Sequence, residues 1–139
     1  MAIDGLTDAQ IAAILRGTRR IALVGASAKP DRPSYGVMQF LIACGYDVTP
    51  VNPGLAGQRI LDVEVVATLA AAAPLDLVDV FRASEAVGPV MDEAIALGAK
   101  TVWLQLGVID QAAAAAGREA GLAVVMDRCP KIEAARLRL

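Results

Sequence analysis

The chain has 139 residues, a net charge of −2 and 56% hydrophobic residues, with alanine supplying much of the excess. That length suits a single domain over 1–139, burying roughly 68–70% of its unfolded surface without covalent staples. The charge leaves no basic footprint for duplex nucleic acid, and the longest uncharged apolar run, Val65 to Leu75, is 11 residues and contains Pro74, far short of the ~20 that span a bilayer. The opening Met1-Ala2-Ile3-Asp4-Gly5 lacks a basic segment followed by an apolar one, so a secretory signal is not expected and the default compartment is the cytoplasm. Cys44 and Cys129 cannot build a disulfide framework and are expected to be free thiols.

Along the chain, strands and helices alternate. Thr7 and Gln10 have capping-box spacing, with Ile11, Ile14 and Leu15 giving the leading helix an apolar face. The first strand is Arg20 to Val24. A crossover helix follows from about Ser34 to Cys44, carrying Val37, Leu41 and Ile42 on one side and stopping at Gly45. The second strand, Asp47 to Val51, ends in Asn52-Pro53-Gly54. A helical segment is expected over Val63 to Ala72, then a third strand from Leu77 to Phe81. Ser84 is expected to cap a helix from Glu85 to Leu97, closed by Gly98. The fourth strand is Thr101 to Leu104, Asp110 caps an alanine-rich helix ending near Gly121, and the fifth strand is Leu122 to Met126. Cys129-Pro130 opens a short charged helix.

Five near-continuous apolar strands separated by helices require a parallel sheet covered on both faces. The expectation is a doubly wound, Rossmann-like three-layer α/β sandwich with strand order 3-2-1-4-5, the ligand crevice lying outside the carboxyl ends of strands one and four.

The most informative segment is Ile21 to Gly36, where an apolar strand breaks at Gly25 into a turn and then enters a helix. Such a turn lets a ligand phosphate approach the backbone, and free N–H groups with the helix dipole make an anion site. It departs from the dinucleotide fingerprint: Gly25 matches, but Ser27 and Pro30 stand where further glycines belong, and Asn52-Pro53 replaces the acidic ribose anchor. The loop carries Lys29 and Arg32 instead, which points to a ligand with an additional phosphate, held bidentately by Arg32.

Taken together, Val24-Gly25-Ala26-Ser27, Lys29-Pro30-Asp31-Arg32-Pro33-Ser34, Gly45-Tyr46-Asp47-Val48, Pro50-Val51-Asn52-Pro53, Val78-Asp79-Val80-Phe81-Arg82, Gly98-Ala99-Lys100, Trp103 to Gly107 and Asp127-Arg128-Cys129 resemble the small stand-alone CoA-binding proteins, whose fold is similar to the CoA-binding domain of the succinyl-CoA synthetase alpha subunit. The resemblance covers nearly everything from Arg20 to Arg136. It implies coenzyme A or an acyl-CoA as ligand, with Gly25, Ala26, Ser27, Lys29 and Arg32 at the phosphates, together with Pro30 and Ser34 of the same loop. It further implies Asn52, Pro53, Phe81 and Arg82 at the adenosine end and Gln105 and Gly107 along the pantetheine arm. Those larger synthetases pass phosphate through a histidine on a further domain; this chain has no histidine. A non-catalytic binding or accessory protein is therefore expected, with no catalytic residue and no metal-ligand spacing.

Two other classes remain open. A minimal NAD(P)-dependent oxidoreductase would need Tyr35 or Tyr46 as proton donor, and a CoA-sensing module would bind a protein partner, or a second copy as a homodimer, through an exposed apolar patch. Several residues have a plainer reading: Asn52-Pro53-Gly54 is also a good turn, Arg82 can pair with Asp79 or Glu85, and Trp103 reads as core. Cys129 reads as a small buried hydrophobe, with a reactive thiol beside Arg128 and Lys131 as the alternative.

Overall fold

The computed structural model describes residues 2–139; Met1 lies outside them. Helix α1 (Asp8–Gly17) starts with the expected capping box, in which the Thr7 side chain accepts from the Gln10 N–H and the Gln10 side chain accepts from the Thr7 N–H. Strand β1 (Arg20–Val24) leads to α2 (Pro33–Ala43), and β2 (Asp47–Val51) follows. Gly45, at φ +93°, supplies the left-handed residue that ends α2 and turns the chain back. The short strands β3 (Arg59–Ile60) and β4 (Val63–Glu64) form a separate antiparallel pair. Then come β5 (Leu77–Val80), α3 (Val87–Ala96), β6 (Thr101–Leu104), α4 (Gln111–Glu119), β7 (Ala123–Val125) and α5 (Pro130–Arg136).

The main sheet has five parallel strands in the order β2-β1-β5-β6-β7. All of β5 and β6 and nearly all of β1 are buried, as a sheet covered on both faces demands. One face packs Ile21, Leu23, Leu77, Trp103 and Val125 against α1, α2 and α5. The other packs Ala22, Val78, Val80, Val102 and Val124 against α3 and α4. Small residues let α4 approach closely: a Cβ on Gly117 would stand 2.9 Å from a Val124 methyl. Among the described residues, no helix is long and apolar enough to cross a membrane.

The strand order corrects the expected 3-2-1-4-5: counted along the five long strands it is 2-1-3-4-5. The cause lies in the segment Val63 to Ala72, which is not the expected helix. Val63 and Glu64 pair with β3, and Val66 runs on beside β2, donating its N–H to Pro50 O and accepting from Asn52 N–H. Only Ala70–Ala72 makes a helical turn. The β-branched Val63, Val65 and Val66 suit extended backbone. Because this segment covers the free edge of β2, the third long strand pairs with β1 on its other side. The point where the chain reverses its winding, and where ligands bind in such sheets, therefore lies between β1 and β5 rather than between strands one and four.

Ser84 also departs from expectation. Its side chain caps nothing, and a single 3-10 turn precedes α3. The Ser84 hydroxyl instead accepts from Ile109 N–H at 3.0 Å and reaches Gly107 O, holding the loop after β6.

Candidate functional site

The turn after β1 is built by its neighbours. Gly25 has φ +87°, and a Cβ there would stand 3.0 Å from the Phe81 carbonyl carbon and closer still to its oxygen. The close approach that requires glycine is thus to the backbone leaving β5. The N–H groups of Gly25 and Ala26 both point to Val51 O at the end of β2, so they are not the free donors expected of a phosphate turn. Among the described residues nothing accepts from Ser27 N–H or Ala28 N–H; Ser27 lines the cavity described below, and Ala28 is exposed next to it in the chain. Ser27 Oγ accepts from Lys29 N–H at 3.1 Å and fixes the bend. Helix α2 then begins with Arg32 as N-cap and Pro33 in its first turn. No side chain caps it and no acidic residue stands in that turn, so its positive end is open.

A cavity of about 710 Å³ opens at the carboxyl ends of β1, β5 and β6. It gathers ten of the expected residues: Gly25, Ala26, Ser27, Lys29, Arg32 and Ser34 from the turn and α2, Asn52 after β2, Phe81 and Arg82 after β5, and Gln105 after β6. Three cations line it and no carboxylate does. Arg82 pairs with neither Asp79 nor Glu85 in the described chain. Asn52 has a constructional role as well: its Nδ2 donates to Ala26 O at 2.8 Å and its Oδ1 accepts from Gly54 N–H at 2.9 Å, so this one side chain ties the glycine turn to the end of β2.

Three expected residues fall outside the cavity. Pro30 is exposed and does not line the cavity, and Pro53 lines a neighbouring hollow with Val24 and Arg82. Gly107 is held away by its N–H bond to Asp127 Oδ1 at 2.8 Å. In their place stand Pro33, Gly54, Leu55, Leu106 and Val108. Pro33, Gly54 and Leu106 stand in motifs that the sequence alone singles out, whereas Leu55 and Val108 become lining only once the loops converge.

Two buried side chains carry unpartnered oxygens: Gln105, which lines the cavity, and Asp79, which does not. Gln105 is 7% exposed and its Oε1 meets no donor. Asp79, on β5 between Leu23 of β1 and Trp103 of β6, is wholly buried and neither carboxylate oxygen is hydrogen-bonded. Trp103, core as expected, directs its Nε1–H to Arg128 O instead. Burial without a partner pushes the Asp79 carboxyl well above the usual carboxylate range.

Cys129 is buried among core residues. Arg128 faces away from a role at its thiol: it binds Asp4 through two nitrogens, at 2.8 and 3.0 Å, and Glu133 at 2.5 Å. Burial works to raise the Asp4 carboxyl, but the Arg128 bond and the N–H groups of Leu6 and Met126 outweigh it and hold it below its ordinary value. Burial likewise opposes ionisation of Glu133, and Arg136 and Arg128 together reverse it. The tyrosines that a reductase would need are elsewhere. Tyr35 is not in the cavity lining, and Tyr46 donates its hydroxyl to Leu15 O beside a cleft at the opposite end of the sheet.

Fold and site together define a Rossmann-like α/β domain with a cationic crevice at its switch point. The chain belongs to the CoA-binding domain family, whose profile matches residues 19–135. It is 38% identical over 127 residues to the uncharacterized protein YneT of Bacillus subtilis, covering 91% of this chain and 93% of that one. Among solved structures it is similar to a hypothetical protein from Pyrococcus horikoshii (38% identity, TM-score 0.93, covering 100% of this chain and 97% of the other). A Thermus thermophilus protein is also similar (38% identity, TM-score 0.90, covering 95% and 99%).

Proposed function

We propose that this chain binds coenzyme A or an acyl-CoA in the crevice and acts as a non-catalytic binding or accessory protein. The observation that carries the reading is the cavity's charge: Lys29, Arg32, Arg82 and the uncapped start of α2 face one space that no carboxylate lines. A dinucleotide would need an acidic partner for its ribose, and Asn52 has both ends of its amide engaged within the protein. A ligand carrying an extra phosphate matches three cations better. In this reading Ser27 and Ala28 N–H groups and the α2 N-terminus take the pyrophosphate, Arg32 and Lys29 take the 3′-phosphate, Phe81 and Arg82 bound the adenosine, and Gln105 faces the arm. Among the residues that line the cavity there is no histidine, carboxylate or thiol, which supports a binding rather than a catalytic role.

A thermal-shift panel tests this. At a hundred times its Kd a ligand adds ~2.7 kcal/mol, which raises Tm by on the order of 5–15 °C. CoA is expected to do so and NAD is not, and acetyl-CoA is expected to remain intact on long incubation. A larger shift with NAD, or release of free CoA that is lost on substituting a cavity residue, overturns the reading.

A further inference from the structure

Four large apolar side chains stand exposed among the described residues, and three of them meet at one place: Ile3 (47% exposed), Leu106 (54%) and Ile132 (52%) rim a cleft of about 230 Å³. Met126 and Cys129, both buried, form part of its wall. Of the polar groups that line it, Arg128 and Glu133 bind each other and Asp127 Oδ1 accepts from Gly107 N–H. Beside these polar groups the cleft offers a visitor the exposed apolar side chains of Ile3, Leu106 and Ile132. Its position gives that surface a direction, because Leu106 is a wall of both this cleft and the large cavity. A ligand running from the phosphate turn past Gln105 would arrive at Leu106, and a group carried beyond that point would meet the cleft. Clustered exposed apolar side chains of this kind mark binding surfaces rather than ordinary exterior.

We propose that this cleft is an acyl subsite, so that the preferred ligand is a CoA thioester whose unbranched acyl group crosses Leu106 and lies between Ile3 and Ile132. The inference rests on the reading of the large cavity as the CoA site. A cleft of about 230 Å³ suits a short unbranched chain. Hexanoyl-CoA is the matched probe.

Titration calorimetry with CoA, acetyl-CoA and hexanoyl-CoA, on wild type and on Ile132→Gln, decides the matter. Each methylene buried strengthens binding by up to about fourfold, so hexanoyl-CoA is expected to bind at least about tenfold tighter than acetyl-CoA. Ile132→Gln, an exposed helical position outside the large cavity, is expected to cut that ratio several-fold and leave CoA unchanged. If CoA binds but hexanoyl-CoA binds no tighter than acetyl-CoA, the acyl subsite is wrong and the CoA reading stands. If none of the three binds, the CoA reading itself has failed. Light scattering on the same samples covers the remaining occupant: a dimer that Ile132→Gln converts to monomer, with acyl selectivity untouched, assigns the patch to a second copy of the chain and overturns the proposal.

Discussion

Replacing Gly25 by alanine tests the turn on which the site depends. Two effects add. At φ +87° an L-residue is strained by about 1–2 kcal/mol. The new Cβ would also press on the Phe81 carbonyl, a backbone group that cannot rotate away, and relief requires β1 and β5 to part just past their last pair, Val24 with Val80. Adding roughly 1–3 kcal/mol for that overpacking gives a loss of about 2–5 kcal/mol. Gly36 is the internal control, because it lies inside α2 with nothing within 4 Å of a Cβ; alanine there is expected to be neutral or to stabilise by about 0.5–1 kcal/mol. Urea melts of both variants against wild type measure the difference, with the slope showing whether the same surface is exposed. Equal stability of the two variants would refute the claim that Gly25 is fixed by the approach of Phe81.

Three further outcomes are expected. Asp79 gives a pH signature: its unfolded carboxyl ionises near 3.8 and its folded pKa is raised, so the stability it contributes is complete below that value and is lost as pH rises toward the folded pKa, at up to about 1.4 kcal/mol per pH unit. Asp4, Asp76 and Glu133 have lowered values and act in the opposite window, losing stability as pH falls through the folded pKa. With no histidine in the chain, denaturant melts between about pH 5 and 7, below the range of the α-amino group, thiols and tyrosines, isolate Asp79, and Asp79→Asn is expected to flatten the curve; an unchanged slope in the variant would sink the assignment. Arg128→Met leaves Asp4 buried and uncompensated and is expected to cost about 3–5 kcal/mol, most of it recovered when Asp4→Asn is added, which a double-mutant cycle reads directly. Arg32→Ala is expected to weaken CoA by roughly 10- to 100-fold, from ~1.5–3 kcal/mol for a bond to a charged group, while dephospho-CoA binds both proteins alike; equal losses for the two ligands would move Arg32 away from the 3′-phosphate.

Much of this architecture is legible in the residues because local signals and burial agree. The apolar runs at Ile21–Val24, Leu77–Val80 and Thr101–Leu104 can only be strands buried on both faces, and Thr7, Gly45 and Asp110 mark their helix ends as structure confirms. The segment from Val63 to Ala72 misleads because alanines favour helix while the preceding valines gain more by covering the edge of β2. Strand order follows from that tertiary choice, and no local pattern carries it. At the site, the loop bearing Ser27, Lys29 and Arg32 is recognisable from its departure from the glycine fingerprint. The contribution of Leu55 and Val108 is not, since an apolar loop residue becomes a wall only when other loops close around it. Asn52 shows the same limit: turn former and cavity residue are one side chain, and sequence offers them as alternatives.

The most direct test of the account is an NMR titration of the isotope-labelled protein with CoA, followed through backbone amides. The account predicts saturable shifts centred on Gly25 to Ser34, Phe81, Arg82 and Gln105, with the Ser27 and Ala28 amides among the largest, and little change at Arg16, Arg19 or Arg20 beside the cleft at the other end of the sheet. Shifts confined to that opposite cleft, or none at millimolar CoA, would contradict it.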